Sequence, residues 1–295
     1  MRVVRFNGGR VGVIESNDVV DLTELEHLNP KRWPDTAMIQ FIERSNSRIG
    51  SLELPDSAPR VPLQDVTLDC PINWPNKVIA FPANYQAHIE EQKSSKVGLI
   101  SKYTSGGQGF FLKANSSLSG PNEPIRLPPV EGREVHHECE LAIIIGKGGR
   151  GIAKEAAYEH IFGYSCLIDV VIRGKEERVM RKSYDTFCPL GPWIVTRDEI
   201  TNPQEMGIRL TVNGKERQKA NTRDLIVDIP TMIEMSSAVM TLYPGDVIAT
   251  GTPSGVGPIK EGDLVASFAE GVGALEVRVE SSAVGDHPVW DKPQE

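Results

Sequence analysis

One stretch constrains the fold of this chain more than any other: Glu138-Cys139-Glu140 followed at once by Leu141-Ala-Ile-Ile-Ile145. So dense an apolar run is the most hydrophobic strand of the sequence and belongs in the interior, yet two carboxylates stand at its mouth. Side chains of a strand alternate between faces, so Glu138 and Glu140 share one face and Cys139 takes the other. Two like charges at the opening of a buried strand repel and resist desolvation, and a bound cation resolves both problems. Asp169 ends a second apolar run, residues 164–168, and can bring a third carboxylate to the same spot. Three oxygen ligands on rigid strands suit a hard ion, Mg²⁺ or Mn²⁺, whose remaining positions stay with water and substrate. Two other readings stand beside this one. Glu138 and Glu140 could form surface ion pairs with Arg133 or Lys147, or His136, on their face, could join them and favour Zn²⁺.

Around that strand, the sequence reads as mixed α+β and β-rich. Residues 77–81, 139–145, 163–171, 193–196, 208–212, 246–250 and 273–280 are strand candidates, with a hairpin signal at Asn213-Gly214. Helices are few: residues 85–93, 154–161 and 229–240, the last with Asp228 as N-cap and Pro230 in its first turn. The regular alternation of a doubly wound sheet is missing. Near the start, residues 3–6 and 11–14 flank Asn7-Gly8-Gly9 as a β-hairpin, and a helix follows around residues 36–43. Five prolines between residues 54 and 75 then mark a linker. The chain therefore divides into a small N-terminal α/β domain with its Pro-rich linker (residues 1–70) and a catalytic domain (residues 71–295).

A net charge of −8 argues against nucleic acid as the main partner, since phosphate binding needs an excess of Lys and Arg. The longest apolar run is far too short to span a bilayer, so no membrane partner is expected. The N-terminus has no apolar core of a signal peptide, and the four cysteines form no CxxC pair, which together read as reduced thiols in the cytosol.

Two further motifs carry chemistry. His88 and Glu91 fall three residues apart in a predicted helix, where a carboxylate can fix the tautomer of an imidazole and raise its basicity. The same spacing also occurs on any solvated helix face. Gly146-Lys-Gly148-Gly-Arg-Gly151 spells GxGxxG after a strand, with Asp169 near the place of a ribose-binding acid, and makes a dinucleotide-binding protein the remote rival. Against it stand the carboxylates at the strand's start, the charged loop and the absence of a second βαβ unit.

Taken in order, the motifs resemble those of the fumarylacetoacetate hydrolase family over nearly the whole chain after Lys77. They run Asn84-Tyr85-x-x-His88-x-x-Glu91, Phe111-Leu-Lys113, Glu138-x-Glu140-Leu-Ala, Gly163-Tyr with Asp169, and Lys182-Ser-Tyr-Asp-Thr-Phe187. Gly191-Pro-Trp193, Val212-Asn-Gly214 with Gln218, Gly245-Asp246 and Gly251-Thr-Pro-x-Gly-Val-Gly257 complete them. The resemblance implies a β-roll catalytic domain, a homodimer, and one Mg²⁺ or Mn²⁺ per subunit on Glu138, Glu140 and Asp169. It implies that His88, Glu91 and Lys182 are catalytic and that Arg173 and Thr252 contact a small oxo-acid substrate. The implied reaction is hydrolytic cleavage of a carbon–carbon bond in a 1,3-dicarbonyl acid of the acylpyruvate or diketo-acid type. Isomerases, tautomerases, hydratases and decarboxylases of 2-oxo acids share the same metal site, so these remain the alternative, and a non-catalytic metal-dependent binding protein is a third reading. Glu176 stands where relatives carry a substrate-facing glutamine. An anion there is expected to repel a dianionic substrate and favour one with a neutral or hydroxylated far end. The glycine-rich segment between Glu91 and Phe110 reads as a lid.

Overall fold

The computed structural model describes residues 1–94, 104–130 and 132–283. Among these, strands dominate and helices are short. The segment read as a lid is largely residues 95–103, which lie outside the described residues; its end forms a short helix, Ser105–Gln108.

The strand Cys139–Ile145 is buried at every position. Its alternation divides two cores: Leu141, Ile143 and Ile145 belong to one apolar cluster, Ala142 and Ile144 to the other. Both faces are covered, which is why residues 141–145 are apolar without interruption. On one side it pairs antiparallel with Ile161–Ile168, on the other with Val247–Ala249. Val247–Ala249 runs parallel to Val78–Ala80, which pairs in turn with Phe111–Lys113.

In the other direction the same sheet continues through Cys188–Thr196 to Arg2–Phe6, Arg10–Glu15, Asp18–Asp21 and Arg60–Pro62. The hairpin at Asn7-Gly8-Gly9 forms with positive φ at all three residues. The proline-rich stretch supplies a strand to this sheet as well as a connection, so residues 1–70 and 71–295 share one sheet. A five-stranded sheet, which contains Gly207–Val212, Leu264–Ala269 and Gly273–Ser281, packs behind it through the cluster of Leu141 and Cys166.

Two elements differ from the sequence reading. Residues 154–160 form a 3-10 helix, Lys154–His160, instead of an α-helix. Seven residues squeezed between Ala153 and a strand give little room for cooperative α-helical turns. The strand expected over residues 163–171 breaks at Asp169, because the chain leaves the long sheet there and Val171–Ile172 pairs with Val135–His137 in a separate three-stranded sheet.

The glycine motif is a turn and no cofactor loop. The strands on either side of it are antiparallel, Gly149 exchanges backbone hydrogen bonds with Leu242, and a Cβ on Gly148 would meet the Leu242 carbonyl at 2.7 Å. These glycines let two backbones approach, and the strands they join are antiparallel, not the parallel pair of a βαβ unit that cradles a pyrophosphate.

Candidate active site

The pairing register assembles the site at the ends of the central strands of the long sheet. Cys139 lies opposite Ile168, so Glu138 meets Asp169, and the Asp169 N–H donates to the Glu138 carbonyl at 2.8 Å. Across the other side, Ala142 lies opposite Ala249, which brings the Gly251–Gly257 loop to Glu140. The Gly251 N–H donates to Glu140 Oε2 at 2.7 Å. Gly251 has φ +95°, and a Cβ there would come within 2.6 Å of Asn84 and 2.8 Å of the Phe81 carbonyl, so only glycine lets the loop close this tightly. Asn84 is fully buried and bonds Val227 and Thr250, which anchors the start of the helix Gln86–Ser94 against the same loop.

Carboxylate oxygens of Glu138, Glu140 and Asp169 lie within 4.8 Å of one another, all three side chains buried. Lys182 donates to Glu138 Oε2 at 2.6 Å and to Asp169 Oδ2. Lys113, which belongs to the Phe111-Leu-Lys motif, donates to Asp169 Oδ1 at 2.5 Å. Burial alone would raise Glu138, but Lys182, Arg173 and His88 outweigh it and hold this carboxyl well below its usual range. Glu140 goes the other way: burial, with the charges of Asp169 and Glu138 beside it, pushes it well up. The difference lies in the partners, because Lys182 sits on Glu138 and Asp169 while Glu140 bonds a neutral backbone N–H. Three buried carboxylates with charge left uncompensated at Glu140 fit a divalent cation, and an all-oxygen donor set fits a hard one. Asp169, Glu138 and Glu140 outweigh burial to keep Lys182 an ammonium.

His136 is committed elsewhere. Its Nε2 faces Glu134 Oε2 at 2.8 Å and its Nδ1 accepts from Arg173 Nε at 3.0 Å, so the Zn²⁺ reading built on it has no free ring nitrogen. The surface ion-pair reading fails as well, since Glu138 and Glu140 are buried and Glu138 pairs with Lys182 and Arg173, not with Arg133 or Lys147.

A cavity of about 670 Å³ opens over this cluster. His88 and Glu91 line it from the helix Gln86–Ser94, and His88 is buried. His88 Nδ1 donates to Glu91 Oε2 at 3.1 Å, the carboxylate fixing the tautomer, and Nε2 accepts from the Gln92 amide at 2.8 Å. The other Glu91 oxygen accepts the Gly255 N–H at 2.8 Å. Thr252 also faces the cavity; its Oγ accepts from Gln218 Nε2 at 2.8 Å, which leaves the hydroxyl proton to donate to a ligand. Arg173 lines the wall with its guanidinium 3.8 Å from Glu138.

Glu176 lines the cavity too, but Arg133 donates to it at 2.7 Å. The Arg133 guanidinium offsets the charge that the sequence reading expected to repel dianionic substrates. Gln218 stood in a motif without an assigned role, and Gln92 and Arg178 carried no sequence signal.

The fumarylacetoacetate (FAA) hydrolase C-terminal family model matches residues 77–280. The chain belongs to the fumarylacetoacetate hydrolase family. Within it, the chain is 41% identical over 287 residues to a maleylpyruvate hydrolase of Aquipseudomonas alcaligenes, covering 95% of this chain and 100% of the relative. The structure of maleylpyruvate hydrolase from Sphingobium sp. SYK-6 in complex with manganese(II) ion and pyruvate superposes with TM-score 0.85 at 49% identity, over 96% of this chain and 100% of that one. The 5-carboxymethyl-2-hydroxymuconate delta-isomerase of Mycobacterium smegmatis, another family structure, gives TM-score 0.74 at 35% identity, again over 96% and 100%. Mixed sheets with few helices are the architecture this chain shares with both.

Proposed function

We propose that this protein is a divalent-metal-dependent hydrolase that cleaves a carbon–carbon bond in a 2,4-dioxo acid of the acylpyruvate class. The observation that carries the reading is the His88–Glu91 pair on the same cavity as the three carboxylates, since water must be activated for hydrolysis. The relatives that hydrolyse maleylpyruvate, one of them holding manganese and pyruvate, support the substrate class and the metal. Glu138, Glu140 and Asp169 would hold Mg²⁺ or Mn²⁺, which when bound supplies Lewis-acid polarisation of the oxo acid.

The remaining steps fall to side chains. Thr252 donates its hydroxyl to the substrate carboxylate and Arg173 adds positive charge beside it. His88 Nε2 takes a proton from water once the Gln92 amide gives way, and Glu91 stabilises the imidazolium that results. Hydroxide adds to the distal carbonyl, and the bond between that carbon and the methylene breaks. The electron pair passes to the pyruvate fragment as an enolate, its charge met by the Lys182 ammonium. Protonation of the methylene gives pyruvate, and the other fragment leaves as a carboxylate. Homodimeric assembly and a cytoplasmic setting complete this reading, supported by the family resemblance and by four buried, free cysteines.

Turnover in ¹⁸O-water tests the reaction class. A hydrolase places ¹⁸O in the carboxyl of the non-pyruvate fragment; a substrate that only shifts its double bond, without fragmenting, identifies an isomerase instead.

A further inference from the structure

Several arginines stand in or behind the cavity wall, and most are committed. Arg133 bonds Glu176 at 2.7 Å and the Arg173 carbonyl at 3.1 Å. Arg173 holds His136 and reaches toward Glu138. Arg181 donates to the backbone carbonyls of Glu176 at 2.8 Å and Ile172 at 3.3 Å. Arg178 is different. Its Nη2 donates at 3.0 Å to a neutral acceptor, the side-chain oxygen of Gln108, and no carboxylate among the described residues lies within salt-bridge distance of it. It lines the cavity half-buried, with its guanidinium 5.2 Å from the centroid of the Phe111 ring. A guanidinium withdrawn from water without a counter-ion is costly to hold, and burial lowers its hold on the proton accordingly.

Phe111 fixes where this cation stands relative to the chemistry. The same ring centroid lies 5.6 Å from Lys182 Nζ, which is bonded into the carboxylate cluster. Arg178 and Lys182 therefore share one aromatic ring, which sets the arginine within a short molecule's reach of the carboxylate cluster. Lys175 is the other cation on this wall, but it is exposed, where water and salt screen it. Arg178 is shielded on one side by the ring and presents a planar fork that matches a carboxylate.

We propose that Arg178 binds a carboxylate at the far end of the substrate and makes the enzyme selective for 2,4-dioxo acids that carry this second carboxylate. This rests on the hydrolase reading above. The terminal anion would supply the close counter-charge that no described residue gives Arg178, and Gln108 would keep the guanidinium turned toward the cavity.

The test is the ratio of kcat/KM for maleylpyruvate to that for acetylpyruvate, whose far end is a neutral methyl group. It is measured with Mn²⁺ for wild type, Arg178→Ala, Arg178→Lys and Lys175→Ala. Loss of a charge-assisted hydrogen bond predicts that Arg178→Ala lowers the ratio about 10–100-fold, chiefly through KM for maleylpyruvate. Arg178→Lys should fall between, and Lys175→Ala should leave the ratio near wild type. Turnover of acetylpyruvate by the same preparation shows that each variant is folded. An unchanged ratio in Arg178→Ala, however far both activities drop, overturns the proposal, as does a selective loss confined to Lys175→Ala. Wild type that cleaves neither acid would instead remove the hydrolase reading, and this inference with it.

Discussion

Gly255 donates its backbone N–H to Glu91 across 2.8 Å while the other Glu91 oxygen receives His88 Nδ1. One carboxylate thus ties the helix that carries the base to the glycine loop that carries Thr252. Gly255 has φ +94°, and a Cβ there would lie 2.0 Å from the Arg217 carbonyl, so the position is closed to other residues.

Burial alone would raise the Glu91 carboxyl, but hydrogen bonds from His88 and from the Gly255 and Val256 backbone outweigh it, and the net direction is downward. For a carboxylate held below its unfolded value, the stabilisation is fully present above that unfolded value. It is lost as pH falls through the lower, folded one. Acid should therefore release the helix–loop tie only below the ordinary glutamate range. In Glu91→Gln this acid-dependent component should vanish, and kcat should drop about 10–100-fold with KM little altered. Urea unfolding from pH 3 to 6 and steady-state kinetics check the two parts.

The uncompensated charge at Glu140 predicts that metal stabilises the fold. Saturating Mn²⁺ or Mg²⁺, at about a hundred times its Kd, should add about 2.7 kcal/mol and raise Tm by roughly 5 °C relative to EDTA. Glu140→Gln should lose that response while remaining folded. A Tm indifferent to metal in the wild type would contradict the assignment of the cluster.

Gln218 offers a third test. Its Oε1 accepts from the Cys139 N–H and from His137 Nδ1, both at 2.9 Å, and its Nε2 donates to Thr252 Oγ and to the Pro253 carbonyl, both at 2.8 Å. Backbone groups of fixed polarity at both ends leave the amide one orientation. Gln218→Ala strands several buried groups and should cost about 3 kcal/mol in urea unfolding.

Burial pushes the Cys139 and Cys188 thiols up to about 12, and Cys70 and Cys166 higher still. Ellman's reagent should find no reactive thiol in the native protein and all four after denaturation.

The carboxylate cluster was legible in the sequence because a strand's period of two is local: Glu138 and Glu140 had to share a face. Asp169 was legible because it ended a second apolar run, although the break that places it there was not. What escaped was settled by groups far apart in the chain. Arg133 neutralises Glu176 from 43 residues away, and Gln218 reaches Cys139 across 79. Arg178 carries no motif, and what marks it is that no carboxylate among the described residues lies within salt-bridge distance. The GxGxxG match was a remote reading already opposed by the carboxylates and the charged loop, and its glycines serve close backbone packing.

The central claim is metal-dependent hydrolysis with His88 as the base. The direct measurement is loss of 1,3-dicarbonyl absorbance from maleylpyruvate or acetylpyruvate, with Mn²⁺ or EDTA, for wild type and His88→Ala. Turnover should require metal and fall about 10²–10⁴-fold in the variant. Turnover that survives His88→Ala would contradict the claim.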